Sequence, residues 1–280
     1  LDGAGHAPNQ DMVNIVAALR FEKALQLMDS DLSWKTQRQE DNIEKYLDIA
    51  LGFSINNVCS SYWVSPKGLI LENFGSIQGG YSGDYGTEAL EEMSQLTEFA
   101  EENLQSDRAK KYIERMKNAY SAIDNFMFTA NAEIDGNPTL YAEGLTGNRN
   151  AYYPGTERYI LDEYNAVEKG NKTALKTYEL FFEHNKLLVN AESYTPLNSH
   201  FEDNALAVIK MYINFDKIIS KINEENIIDY DYIMDDDSQT SYAWADEMGR
   251  NVVIKNGDER IYLALNWRNP LHSQTYYNTA

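Results

Sequence analysis

The apolar residues between positions 9 and about 225 recur with the three-to-four-residue spacing of amphipathic helices. One apolar stripe runs from Met12 to Leu27 and a second from Ile43 to Ile55. The same spacing predicts further helices at residues 88–103, 107–129, 157–169, 173–190 and 203–222. The connections differ greatly in length, and no fixed repeat period links the segments. We therefore predict an array of antiparallel helical hairpins whose long loops carry the functional site.

The pattern changes at two places along the chain. Residues 60–86 contain Pro66, six glycines and few charges, which predicts a long non-helical connection. After about residue 226 the β-prone runs 241–244, 251–255 and 260–265 appear, and Asn256-Gly257 is a strong hairpin turn between the last two. The acidic run at 235–237 is interpreted as a solvated linker, with a calcium site as the alternative.

Helices followed by strands indicate an α+β chain, with a helical domain at residues 1–225 and the first strands of an antiparallel β domain at 226–280. A few strands with open edges do not make a stable sheet alone. We therefore expect the rest of the sheet to lie in the remainder of a larger protein or in a companion chain.

The charge of the chain limits its partners. It has 24 Lys+Arg against 44 Asp+Glu, a formal charge of −20. Nucleic-acid binding and docking on anionic membranes both depend on Lys and Arg, so we expect neither partner. Twenty tyrosines and many asparagines suit carbohydrate, because aromatic rings stack on sugar faces and amides bond to hydroxyls.

One segment carries a more specific signal. It reads Tyr81-Ser82-Gly83-Asp84-Tyr85-Gly86 and leads into an apolar segment with Ser94-Gln95-Leu96. It resembles the active-site loop of polysaccharide lyase family eight, the hyaluronate, chondroitin and xanthan lyases, which reads Tyr-Thr-Gly-x-Tyr-Gly before a helix with Leu-Ser-Gln-Leu. The resemblance implies that Tyr85 is the catalytic tyrosine. It also implies an α/α toroid, here an incomplete helical-hairpin barrel, followed by the start of an antiparallel β-sandwich.

Three other stretches are similar to the family in order and spacing. Residues 7–11 match a family stretch whose asparagine binds the substrate carboxylate, which here is Asn9. Residues 144–149 match a stretch with two arginines and keep the second, Arg149. Residues 246–253 and 264–269 are similar to the stretch that leads from the helical domain into the first strands.

The chain also departs from the family pattern. The family's catalytic histidine falls on Ser76 or, with a gap, on Gln78 or Gly79, and the first arginine of the pair is Leu145. We hypothesise that His6, three residues before Asn9, enters the same cleft in place of the missing histidine.

The resemblance implies β-elimination at C4 of a uronic acid in a secreted enzyme. Tyr85 acts as the phenolate base, and Arg149 favours that form by lowering the phenol pKa. Asn9 neutralises the substrate carboxylate. Further substrate contacts are expected from Gln78, Tyr81, His6, Tyr152 and Tyr153. The substrate is a polysaccharide, and no cofactor or metal is expected.

Two other functions remain open from the sequence. A glycoside hydrolase on a helical-hairpin barrel needs two carboxylates flanking the scissile bond, and Glu72, Asp84 and Glu88 lie near the loop. A catalytically inactive carbohydrate-binding relative would explain the missing histidine. The reaction product distinguishes them, because only elimination creates an unsaturated sugar that absorbs in the near ultraviolet.

Overall fold

The computed structural model describes residues 8–28, 37–55, 61–71, 80, 83–145, 171–190 and 215–265. Within these ranges helices alternate with two separate sheets, so the α+β class is confirmed. The helices are α1 (Pro8–Met28), α2 (Gln37–Ala50), α3 (Gly83–Asn103), α4 (Ser106–Asp124), α5 (Lys172–Asn190), α6 (Phe215–Glu224) and a short 3-10 helix, Ile227–Asp229. The strands are β1 (Met127–Ile134), β2 (Asn137–Gly144), β3 (Ser241–Asp246), β4 (Asn251–Asn256) and β5 (Glu259–Ala264).

The first four helices form two hairpins. Helices α3 and α4 are joined by two residues, Leu104 and Gln105, and are therefore antiparallel. Their facing sides are apolar, and α1 packs against both α2 and α3. The buried side chains of this layer include Met12, Ile15, Leu19, Leu47, Leu90, Met93, Leu96, Tyr112 and Met116.

Contacts between the hairpins fix the helix directions. Lys23 near the end of α1 pairs with Glu102 near the end of α3 at 3.2 Å. Val16 and Gln95, two turns earlier on each helix, line one cleft with this pair, so α1 and α3 run parallel. Glu44 pairs with Arg108, and Asp48, one turn later, pairs with Lys111, so α2 and α4 are parallel too. The second hairpin therefore repeats the orientation of the first.

Helix α2 ends earlier than its apolar stripe predicts. Gly52 has a φ of 72°, and the Phe53 N–H bonds to the Asp48 carbonyl at 2.7 Å. This is the left-handed glycine cap that commonly terminates helices. The prediction of one helical stripe through Ile55 is wrong for the residues after Ala50.

A β-hairpin follows α4 where a helix was predicted. Helix α4 stops at Asp124, and Met127 begins β1, so the predicted helix at 107–129 is wrong in its last five residues. Strands β1 and β2 pair antiparallel from Met127–Gly144 to Ile134–Asn137. The turn residues Asp135 and Gly136 both have positive φ, 49° and 78°, as a two-residue hairpin turn requires.

The strands predicted near the end of the chain are confirmed. They form one sheet in the order β3-β4-β5, with Asn256-Gly257 at the turn and Gly257 at a φ of 59°. The interpretation of 235–237 as a solvated linker is wrong for Asp235. Its carboxylate accepts the Thr129 N–H at 2.6 Å and pairs with Arg260 at 2.8 Å.

Helix α5 lies where the sequence predicts a helix. The Asn171 side chain accepts the Ala174 N–H at 2.9 Å and caps the first turn. The helix packs on β2 and α6, with Ala174, Leu175, Tyr178 and Phe181 buried.

The chain divides into two compact units. The first holds the described residues of Leu1–Ala122, Ala245–Val252 and Leu263–Tyr277, and the second those of Ile123–Trp244 and Val253–Tyr262. Across the described ranges, no helix has both the length and the apolar composition needed to cross a bilayer.

Candidate functional site

The first turns of α1 and α3 carry two of the residues that the sequence analysis singled out. Asn9 is in the first turn of α1, and Tyr85 is in the first turn of α3 rather than in the predicted loop. The structure describes the backbone at these two positions. Lys23 and Glu102 are neighbours across this parallel pair of helices and are 79 positions apart in the sequence. The same offset places Asn9 beside Glu88, which follows Tyr85 by about one helical turn. The two backbone positions therefore lie at the same end of a parallel helix pair.

The other predicted site residues lie outside the described residues. They are the catalytic candidate Arg149 and the substrate-binding candidates Gln78, Tyr81, His6, Tyr152 and Tyr153. Gly80, within the predicted loop, is described and buried.

Residues 61–71, in the first part of the predicted 60–86 connection, are firmly packed. Residues Val64 and Ile70 form an antiparallel bridge, and the Leu71 N–H bonds to the Trp63 carbonyl at 2.8 Å. Trp63, Val64, Leu69, Ile70 and Leu71 are buried. Residues 61–71 of the predicted 60–86 connection are therefore held in place.

Gly68 brings this segment against α4. Its φ is 98°, and a Cβ on Gly68 would lie 2.2 Å from the Ala119 nitrogen and 2.4 Å from the Ala119 Cα. Only glycine permits such an approach between two backbones.

A buried polar network also holds the same segment in place. The Asp246 carboxylate accepts the Ser65 hydroxyl at 2.5 Å and the Gly249 N–H at 2.6 Å. Arg115 is buried, donates to the Ser65 carbonyl and stacks on the Phe53 ring at 4.4 Å. Burial lowers the pKa of Arg115, and the negative charge of Asp246 opposes that shift. Asp246 therefore acts as a structural anchor.

The second unit contains a polar cluster that the sequence analysis did not identify. Thr173 hydrogen-bonds to the Asp124 carboxyl group, and the Thr173 and Tyr230 hydroxyls are 2.9 Å apart. Tyr242 donates to the Asn125 side chain. Burial raises the pKa of Asp124 to about 6. These partners come from distant parts of the sequence, so no local spacing could have indicated them.

The tyrosines with displaced pKa values are unsuited to act as bases. Burial raises the pKa of the Tyr112, Tyr141, Tyr230 and Tyr242 hydroxyls, and nearby carboxylates add to the effect. A tyrosine base needs the opposite shift, because its reactive form is the phenolate. These four hydroxyls therefore stay protonated at neutral pH.

His184 is a packing residue. Its ring is 8% exposed and lies 5.4 Å from the Tyr141 ring. Burial lowers the pKa of His184, so the imidazole is neutral at physiological pH.

The described residues contain no group of three or more His, Cys, Asp or Glu side chains arranged to hold a metal ion. Comparison with protein families, with curated proteins and with solved structures returns no significant match.

Proposed function

We propose that this chain is part of a secreted polysaccharide lyase that cleaves a uronate-containing glycan by β-elimination. The observation that carries the proposal is the parallel pairing of α1 and α3. It brings the backbones of Asn9 and Tyr85 to one end of the helix pair, although 76 positions separate them in the sequence. A Tyr–Asn pair at one end of a helical array is what the resemblance in the loop requires.

The helix directions support a toroid as the finer fold. Helix α1 lies beside α3 and α2 beside α4, each pair parallel, while the helices within each hairpin are antiparallel. Successive hairpins of toroids and solenoids are related in this way. We propose that the two hairpins are neighbouring units of an α/α toroid.

The exposed side of β5 supports a β-sandwich as the second part of the fold. Ile261, Leu263 and Leu265 alternate along the strand and are 40–52% exposed. Alternating apolar residues on one face are typical of a sheet that packs against a second sheet. We propose that further strands, in the same protein or in a companion chain, cover this face.

In the proposed reaction the Tyr85 phenolate removes the C5 proton of the uronate. Asn9 hydrogen-bonds to the uronate carboxylate and stabilises the negative charge that develops there. The C4–O4 bond breaks, a C4=C5 double bond forms, and the Tyr85 hydroxyl returns the proton to O4. Arg149 lowers the phenol pKa, and His6 enters the cleft in place of the family's histidine.

The test is an ultraviolet absorbance assay against hyaluronan, chondroitin, xanthan, alginate and pectin. We expect an absorbance rise on at least one glycan, and Tyr85→Phe should reduce its rate by about 100-fold or more, the usual contribution of a general base. Tyr46→Phe on α2 is the matched control and should retain the full rate.

Two results would overturn the proposal. New reducing ends without an ultraviolet rise would indicate a hydrolase, for which Asp84 and Glu88 lie one turn apart at the start of α3. Glycan binding without any cleavage would indicate an inactive carbohydrate-binding relative.

A further inference from the structure

A second candidate site lies in the first unit, beside the last turns of α2. A cleft of about 620 Å³ opens between these turns and the residues that follow the helix. Its polar lining comes from Glu44, Lys45, Asp48 and Ser54. This volume falls within the range of roughly 300–1,000 Å³ that small-molecule sites occupy.

The two carboxylates of the cleft are held in place from behind by α4. Arg108 donates two hydrogen bonds to Glu44, one of them 3.1 Å long from Nε. The ammonium of Lys111 lies 2.6 Å from Asp48 and 3.5 Å from Glu44. The side-chain hydrogen bond from Arg108 is the main cause that lowers the pKa of Glu44, so this group stays ionised at neutral pH. Both carboxylates are thus oriented hydrogen-bond acceptors.

Asp48 is fixed by a third contact. The Tyr112 hydroxyl donates to the Asp48 carboxylate at 2.8 Å, and Tyr112 is fully buried. The Phe53 ring packs edge-on against Tyr112, with ring centres 5.6 Å apart. A ligand therefore meets acceptors whose orientation is already determined, which reduces the entropy lost on binding.

The remaining walls supply donors and apolar surface. Lys45 is exposed and forms no ion pair with another described residue, and Ser54 contributes a hydroxyl. Ile49, Ile55 and the Tyr62 ring line the rest of the cleft, and Ile55 is 41% exposed. Fixed acceptors, hydrogen-bond donors and apolar surface thus occur together in one open cleft.

We propose that this cleft is a carbohydrate subsite that binds an uncharged pyranose ring. Ring hydroxyls would donate to Glu44 and Asp48 and accept from Lys45 and Ser54, while the C–H face of the sugar packs on Ile49, Ile55 and Tyr62. Phosphate, sulfate and uronate groups are disfavoured because the oxygens of Glu44 and Asp48 accept hydrogen bonds and offer an anion no donor. An apolar ligand would take water from Lys45 and Ser54 without replacing their hydrogen bonds.

This inference does not depend on the proposed lyase activity. The cleft is built from α2 and the residues after it, whereas the lyase proposal depends on the first turns of α1 and α3. Binding at the cleft and elimination at Tyr85 can therefore succeed or fail independently.

The test is titration of the intact chain with cellobiose, maltose, mannobiose and diacetylchitobiose, followed by calorimetry and by amide chemical shifts. We expect saturable binding of at least one neutral disaccharide. The largest shifts should occur at Lys45, Ile49, Ser54 and Ile55, and this mapping needs no variant. Glucuronic acid is the charged comparison and should bind at least about tenfold more weakly.

Substitutions then assign the contacts. Lys45→Ala and Ser54→Ala each remove one hydrogen-bonding group and should weaken binding by about two- to tenfold. Lys117→Ala is the matched control, because Lys117 is an exposed lysine on α4 that pairs with Glu114 and does not line the cleft. It should leave the affinity unchanged.

Three results would overturn the proposal. They are the absence of binding by all four disaccharides at millimolar concentration, binding whose shifts fall outside the cleft, and stronger binding of glucuronic acid than of any neutral sugar. An unchanged affinity in the Lys45→Ala/Ser54→Ala double variant would also contradict it.

Discussion

The carboxyl group of Asp124 lies where its ionised form is poorly solvated. Burial raises its pKa from the ordinary 3.8 to about 6, although the hydrogen bond from Thr173 acts in the opposite direction. The folded state therefore binds this proton more tightly than the unfolded state does. The resulting stabilisation is fully present below pH 3.8 and is lost as the pH rises through about 6.

We predict that Asp124→Asn stabilises the protein at pH 8, because an amide has no ionised form to desolvate. From the size of the Asp124 pKa shift, the substitution should raise the free energy of unfolding by up to about 3 kcal/mol at pH 8. It should change little at pH 4. Urea unfolding at the two pH values measures this difference. Asp237→Asn, at an exposed position, is the control, and an equal effect of both variants would contradict the prediction.

Residues differ in how far their role could be predicted from the sequence. Asn9 and Tyr85 were identified from local motifs, and each lies in the first turn of a helix. The cluster around Asp124 could not be predicted, because Thr173 and Tyr230 reach it only through the folded chain. A carboxyl group at the end of an amphipathic helix has no local feature that indicates its burial.

Among the elements, the segment at residues 61–71 depends on one glycine. A methyl group on Gly68 would overlap backbone atoms of Ala119, which cannot move aside as a side-chain end can. We predict that Gly68→Ala lowers the free energy of unfolding by more than about 3 kcal/mol. Chemical denaturation is the measurement.

Gly136→Ala is a matched control for this substitution. Gly136 also has a positive φ, 78°, but no atom lies within 4 Å of its added methyl group. Gly136→Ala should therefore lower the free energy of unfolding by only about 1 to 2 kcal/mol, the cost of a side chain at positive φ. Equal losses in the two variants would show that backbone conformation, and not the contact with α4, sets the requirement for glycine.

The sequence predicted some elements better than others. Strands β3 to β5 were expected because short β-prone runs flank Asn256-Gly257. The β1–β2 hairpin was missed because the apolar residues at 123, 126 and 127 continue the helical spacing of α4. Asp135-Gly136, a favoured hairpin turn, was the available signal.

At the scale of the whole molecule, the formal charge of −20 makes the folded chain repel itself. Raising the salt concentration from about 0.01 to 0.1 M shortens the screening length from about 30 to 10 Å. We therefore predict that the unfolding temperature rises by a few degrees over this range, as measured by circular dichroism. A fall would indicate that attractive ion pairs such as Arg108–Glu44 outweigh the net repulsion.

The overall arrangement was only partly predictable. The alternation of helices and strands follows from the hydrophobic period, which gives the α+β class. The parallel relation of α1 to α3 and of α2 to α4 does not follow from it. That relation depends on packing between residues far apart in the sequence, as at Lys23 and Glu102, which are 79 positions apart.

In natural relatives that keep the contact between residue 68 and α4, neither residue 68 nor residue 119 can vary freely. The first must remain glycine, and the second, where Ala119 is fully buried, must remain small. The two positions are 51 apart in the sequence. Their joint presence therefore offers a compact signature for identifying distant homologues whose overall sequence similarity has been lost.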